Sequence, residues 1–251
     1  MCIVCRWNSG EEKLDLNIEK LDCSYCTSLT NIPVLPKLEV LSCNYCTSLT
    51  SIPVMEELET LFCNDCTALT SIPVFPTLEE LECNDCTALT SIPVMPELKI
   101  LDCENCTSLT SIPIMLELEI LYCRGCTSLT SIPVLPKLEV LSCIGCTSLT
   151  SIPLLPNLRQ LFCAHCTTLT SIHPNLGIIV WRGCKWISKC KDFESNIESL
   201  RRCQAIVRRK LTAKKLIRII PAITEIYYSP GCKGEYVAYC AFSGQCELLQ
   251  E

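Results

Sequence analysis

The sequence predicts a solenoid: short parallel strands stacked one per repeat, with extended segments on the return side and a small helical region at the C-terminal end. Three observations carry this expectation. The first is a period of twenty that never slips, marked by Cys23/Cys26, Cys43/Cys46, Cys63/Cys66, Cys83/Cys86, Cys103/Cys106, Cys123/Cys126, Cys143/Cys146 and Cys163/Cys166. Tandem copies at a short fixed period are units that pack only on their neighbours. The second lies inside the unit, where Leu41 and Cys43 stand two apart and so point to one side of a strand, the inward side. The third is the set of prolines at 33, 36, 53, 73, 76, 93 and 96 and onward. They favour extended or polyproline-like backbone on the convex side, where a unit of this length leaves little room for a helix.

Taken in order, residues 1–17 form an N-terminal cap, with Cys2 and Cys5 read as the remains of another unit. Ile18-x-x-Leu21 opens the first of eight regular units. The fixed letters of one unit run Leu38-x-x-Leu41-x-Cys43-x-x-Cys46-Thr47-x-Leu49-Thr50-Ser51-Ile52-Pro53. A ninth, degenerate unit follows His173 as Leu176-x-x-Ile179-x-Trp181-x-x-Cys184-x-x-Ile187, starting two residues early. The repeats thus span 18–190, and nine strands at about 4.8 Å spacing give a sheet roughly 40 Å across. Residues 191–251 form a basic helical tail. Phe193, Ile197, Leu200, Cys203, Val207 and Leu211 keep helical spacing, continued by Leu216, Ile217 and Ile220 until Pro221 stops it. Beyond that proline, a Pro230-Gly231 turn predicts a small hairpin or irregular end.

The pattern L-x-x-L-x-C-x-x-C resembles the leucine-rich repeat, with Cys43 in a leucine slot and Cys46 in the Asn/Cys slot. "CTSLT" is similar to the cysteine-containing class of that repeat. "SIPVLPKLEVL" resembles the short repeats of bacterial secreted effectors and of giant DNA viruses. The resemblance covers roughly residues 14–190, and it implies a parallel sheet on the concave face and a non-enzymatic scaffold for protein–protein interaction.

The chain has 251 residues, enough to bury a sizeable core. Its 24 cysteines would suit a disulfide scaffold in a small secreted protein. The opening "MCIVCRWNSGEEKLDLNIEK" lacks a basic n-region and an apolar h-region, which predicts an intracellular, cytoplasmic protein with reduced thiols, in the host cytoplasm if viral. No apolar run reaches the roughly 18 residues of a membrane span. Charge is divided: residues 1–180 hold 8 Lys+Arg against 20 Asp+Glu, a balance of −12, and residues 181–251 hold 13 against 7, a balance of +6. The acidic body disfavours nucleic acid at the repeats.

The cysteines admit three readings. Adjacent units give Cys-x2-Cys-x16-Cys-x2-Cys, a spacing that suits a four-thiolate zinc or other metal site. Packing explains the same spacing, because each cysteine falls where the repeat needs a small inward residue and free cysteine is among the most buried types. The eight units are also equivalent, with nothing marking where one metal site would end. No cofactor is therefore expected, with metal binding by paired CxxC thiolates as the alternative. A nucleophile at Cys166 beside His165 is disfavoured, because neighbours on an extended edge point apart. In the Asn version of the repeat an amide bonds the turn backbone; a thiol does so weakly, and Thr47 and its equivalents are expected to supply those bonds.

Positions that vary between units are free for function. On the strand they read Asp22, Ser42, Phe62, Glu82, Asp102, Tyr122, Ser142 and Phe162, and between the cysteines they include Asn44/Tyr45, Asn64/Asp65, Asn84/Asp85 and Glu104/Asn105. Phe62, Asp65, Glu82, Asp85, Asp102, Glu104, Tyr122 and Phe162 are the candidate partner-binding residues, joined by Glu80 in an acidic groove with aromatic anchors suited to a basic protein or peptide. The same acids would also serve simply to keep the solenoid solvated. A row of Glu at 19, 39, 59, 79, 119 and 139, broken by Lys99 and Arg159, should be hydrated or paired with cations.

In the tail, "CQAIVRRKLTAKKL" resembles an IQ-type calmodulin-binding segment, which implies a calmodulin-like partner docking at Gln204, Arg208, Arg209, Lys214 and Lys215. Cys203 stands in the motif's aliphatic slot and Arg209 replaces its glycine. The same helix would equally cap the solenoid. A further alternative is an effector-like ubiquitin-ligase adaptor, although the tail is short for a catalytic domain and has no Cys-x-Asp motif.

Overall fold

The computed structural model describes residues 2–11, 13–169, 171–172 and 178–180. The chain divides into two compact units, Met1–Asp192 and Phe193–Glu251. The second, with Gln204, Arg208, Arg209, Lys214 and Lys215, lies outside the described residues.

Each regular unit contributes one three-residue strand with its leucine at the centre: β1 (Lys20–Asp22), β2 (Val40–Ser42), β3 (Thr60–Phe62), β4 (Glu80–Glu82), β5 (Ile100–Asp102), β6 (Ile120–Tyr122) and β7 (Val140–Ser142). After the two-residue β8 (Ser151–Ile152), β9 (Gln160–Phe162) continues the series. Beyond β10 (Ser171–Ile172) comes β11 (Ile178–Val180). The main sheet has nine parallel strands among the described residues, in the order β1-β2-β3-β4-β5-β6-β7-β9-β11. Leucine faces leucine across the eight regular strands, as in Leu41↔Leu61 and Leu101↔Leu121. The solenoid with its parallel sheet is the fold expected from the repeat. The ninth strand arrives two residues early as read, with Ile179 opposite Leu161.

The ladder reaches past the strands on both sides. The Glu39 N–H donates to the Glu19 carbonyl at 2.8 Å, Cys43 to Phe62 at 2.8 Å and Tyr45 to Asn64 at 2.7 Å, and equivalent bonds recur along the stack. The return side is extended, and β8 pairs with β10 in parallel.

Seven positions close the core in each of the first seven units. In the second unit they are Leu41, Cys43, Cys46, Leu49, Ile52, Met55 and Leu58, each at most 4 % exposed. Burying a side chain of this size contributes roughly 1.5–3 kcal/mol, so the core rests on long columns of like residues. The column Leu35, Met55, Phe75, Met95, Met115, Leu135, Leu155 is buried as well. It absorbs differences of shape with flexible methionines.

The N-terminal region differs from the expected remnant unit. Ile3–Asn8 is an α-helix, α1, with Cys2 at its N-cap. Val4 and Leu14 are buried, and Asn8 Nδ2 donates to Asn31 Oδ1 at 3.1 Å. Two cysteines three apart on a helix turn share a face, so the Cys2/Cys5 spacing imitates the repeat without its strand.

Candidate protein-interaction face

The strand alternation that buries Leu and Cys turns the intervening residues outward. Phe62, Glu82, Asp102, Tyr122 and Phe162 are all half-buried on the solvent side of the main sheet. Register makes four of them consecutive neighbours, Phe62↔Glu82↔Asp102↔Tyr122. Phe162 stands apart from this group, beside Ser142. Asp65, Asp85 and Glu104 lie just past the strands. Asp65 and Asp85 have φ of 57° and 58°, in the left-handed region where Asp and Asn are at ease.

The acids crowd one another. Burial holds the Asp102 carboxyl above its usual range, against donation from Asn84 and the Glu104 backbone N–H, and the charge of Glu82 adds to the rise. Glu104 is raised by burial and then by Asp102, with Arg124 acting the other way. Burial, followed by Glu82, raises Glu80. Asp102 Oδ1 is buried with no hydrogen-bond partner, although buried polar atoms are normally satisfied.

Three asparagines that look like free surface letters prove to be part of the frame. Asn44 Oδ1 accepts the Asn64 N–H at 2.8 Å, Asn64 Oδ1 that of Asn84 at 2.7 Å, and Asn84 Oδ1 that of Glu104 at 2.6 Å. Asn64 Nδ2 also donates to Glu82 Oε2 at 3.1 Å, fixing that carboxylate on the face.

Two residues absent from the candidate set belong to the same surface. Tyr25 and Tyr45 stack at 4.8 Å between ring centres with their planes 8° apart. They hold φ of 61° and 60°, an unusual conformation for a bulky side chain, and Tyr25 is 74 % exposed. The signal was present in the sequence: the same column reads Asp65, Asp85, Asn105, Gly125 and Gly145 further on, residues that favour positive φ, and tyrosine is out of place among them.

The Glu row finds its cations within itself. Lys99 pairs with Glu79 at 2.7 Å and Arg159 with Glu139 at 3.2 Å. In a parallel row Lys37 pairs with Glu57 at 2.8 Å, and Lys137 with Glu117. These exposed pairs add little to stability, because water screens them. They leave the acids around Asp102 as the concentrated charge of the sheet face. Away from that face, Val34, Val54, Val74, Val94, Ile114, Val134 and Leu154 form a column of exposed aliphatic side chains.

The cysteines of the eight regular units are all buried. The thiol, and not Thr47, serves the turn: Cys46 Sγ donates to the Cys23 carbonyl at 3.2 Å, and Cys106, Cys126, Cys146 and Cys166 each do the same to the unit before at 3.0 Å. Thr47 is exposed, so its hydroxyl has water within reach, whereas the carbonyl in the dry core takes the sulfur, in several units beside a backbone N–H such as that of Cys46 on Cys43. Cys43 shares a hydrogen bond with Cys66 of the next unit, and this together with burial pushes its thiol far up. Cys63, Cys83, Cys103, Cys123 and Cys143 follow the same pattern. Thiols held protonated in this way are poor metal ligands and poor nucleophiles.

The first unit departs from the rule. Cys26 Sγ lies 3.3 Å from Cys5 Sγ. Burial pulls the Cys26 thiol upward, but the Cys2 backbone N–H, Ser28, and the Cys5 and Cys2 thiols outweigh it and bring it down to about 6. Cys5 is raised to about 11, by burial and then by Cys26.

No known protein-family profile matches the chain, and no curated protein does. A solved structure of a leucine-rich repeat protein from Bacteroides ovatus is similar over 67 % of this chain at 19 % identity, with a TM-score of 0.30. The match spans 59 % of that protein's length. The fold assignment rests on the repeat and the sheet register themselves, and the likeness to giant-virus repeats draws no support from this match. No helix among the described residues is long and apolar enough to cross a membrane.

Proposed function

We propose that the chain is a non-enzymatic interaction scaffold that takes a cationic protein segment on the outward side of its main sheet, centred on Asp102. The observation that carries this reading is the buried, unpartnered Asp102 Oδ1 among Glu80, Glu82 and Glu104. A lysine or arginine laid across β4 and β5 would neutralise a crowd of like charges, and a small turn of the Asp102 side chain would bring Oδ1 to its donor. Phe62 and Tyr122 flank the acids on either side in register and would pack against the segment's apolar side chains.

The reading is tested by titrating a labelled Arg/Lys-rich peptide set into the full chain and following anisotropy. The pair Glu82→Lys/Asp102→Lys should weaken the best binder by at least about 100-fold, since each desolvated charge contact is worth roughly 2 kcal/mol or more. Tyr122→Ala should weaken it by about tenfold. Glu97→Lys reverses an exposed charge elsewhere in the unit. Equal losses from Glu97→Lys and from the Glu82/Asp102 pair would show only diffuse attraction to an acidic protein, and the reading would be wrong.

A further inference from the structure

The geometry points to a binding site for one thiophilic d10 cation, zinc(II) or copper(I), held by the thiolates of Cys2, Cys5 and Cys26. Among the described residues these are the one group of three or more ligand side chains that converge, with all three sulfurs within 4.8 Å of one another.

The site arises from an end effect of the solenoid. In later units the second cysteine spends its thiol on the carbonyl of the first cysteine one unit earlier, as Cys46 does on Cys23 and Cys66 on Cys43. Cys26 stands in the first unit and has no such carbonyl before it. Its sulfur turns instead to α1, where Cys2 at the N-cap and Cys5 within the helix project toward it. The same two-residue gap that gives a packed ladder inside the stack thus gives a cluster of available thiols at its end.

The dimensions and surroundings suit such an ion. Sulfurs at 2.3 Å from a tetrahedral zinc stand about 3.8 Å apart, so the 3.3 Å Cys5–Cys26 gap needs to open by about half an ångström. Cys2 and Cys5 are half-exposed while Cys26 is buried, so the ion has an entry path and a floor. The Ser28 hydroxyl, 3.6 Å from Cys26 Sγ and 3.8 Å from Cys5 Sγ, can donate to a bound thiolate from the outer shell. Binding releases the thiol protons to water, and three thiolates around zinc(II) leave one unit of negative charge and a fourth position open to solvent. Soft thiolates without histidine or carboxylate favour zinc(II) and copper(I) over harder ions.

The test uses the full chain, reduced and stripped with a chelator. Zinc(II) is titrated against a chromophoric chelator, and copper(I) likewise without oxygen; cobalt(II) reports thiolate ligation through its sulfur-to-metal charge-transfer band. Six of the 24 cysteines lie beyond the 18 described, so the readout is the difference between wild type and variants. Wild type should hold one equivalent that Cys5→Ser and Cys2→Ser lose, or bind at least about tenfold more weakly, with circular dichroism unchanged. Ser28→Ala should keep the equivalent at reduced affinity. The ion with the larger wild-type–variant difference is the one the site selects. Unchanged stoichiometry and affinity in both cysteine variants overturn the proposal. So does a Cys5–Cys26 disulfide in the isolated protein with no uptake of either ion after reduction.

Discussion

The thiols of the repeat ladder and the thiols at the N-terminal end have the same Cys-x-x-Cys spelling and opposite chemistry. Cys103 and Cys106 are fully buried in a column of equals; the first is held far up as a thiol and the second donates to a backbone carbonyl. Cys2, Cys5 and Cys26 sit where the column ends, the first two partly open to water and the third buried against them, with the Cys26 thiol brought down to about 6. Spacing is shared, so spacing does not decide. What decides is whether the neighbouring unit offers a carbonyl and keeps water out.

Truncation should break the symmetry most visibly. Cys106→Ala removes a packed sulfur and strands the Cys83 carbonyl, and the expected loss is about 1–3 kcal/mol. Cys5→Ala, at a half-exposed position, should cost under about 0.5 kcal/mol. Urea unfolding of the two variants side by side measures the contrast, and equal losses would erase it. For scale, Leu101→Ala in the adjoining leucine column should cost about 2–5 kcal/mol.

Reactivity sharpens the comparison next. Under native conditions alkylation followed by peptide mapping should label Cys26 at pH 7 ahead of the ladder, because its thiol is brought down to about 6 and the Cys2 and Cys5 side chains around it are partly open to water. Cys5, at about 11, should react only toward alkaline pH. Cys103 and Cys123 should lag by about a thousandfold, since they must wait for a local opening of roughly 4 kcal/mol. Ladder cysteines labelled as fast as Cys26 would show that burial does not control them.

The smallest effect applies the same physics of burial to the sheet face. A carboxyl raised in the folded state binds more protons there than when unfolded, so stability falls as pH rises through the interval above its ordinary value. Asp102→Asn, beside Glu82, Asp85, Glu104 and Arg124, should therefore stabilise the protein at pH 7 by a fraction of a kcal/mol. The gain should vanish below the ordinary Asp value of 3.8, where wild type is protonated too. Thermal melts at the two pH values check the sign.

The solenoid was legible because a residue repeated every twenty positions has to be stacked, and alternation alone separates Leu41 and Cys43 from Ser42. The rule that constant positions are framework and variable ones are free was less dependable. The column Leu35, Met55, Phe75 varies and is buried, because a core accepts changes of shape that keep volume and hydrophobicity. The column Val34, Val54, Val74 is exposed although it changes only to Ile114 and Leu154 further on. Asn44, Asn64 and Asn84 looked like surface letters and turned out to hold the backbone of the next unit. The acidic face followed from strand parity. The unsatisfied oxygen of Asp102 and the stack of Tyr25 on Tyr45 depend on distances between units that a linear string does not contain. The N-terminal thiols look like a worn repeat in the sequence because a helix and a strand both tolerate two cysteines three apart.

The hydrogen bonds between units span 18 to 23 residues, from Ser24–Ser42 to Cys46–Cys23, so each unit bonds to an adjacent one. A block of twenty residues removed or duplicated between equivalent positions would rejoin like backbone edges and keep the main-chain bonds between units, while side-chain pairs at the variable positions would change. Length in this fold is therefore an adjustable quantity: lineages could lengthen or shorten the binding face without inventing a new interface, while the ends of the array stay as they are.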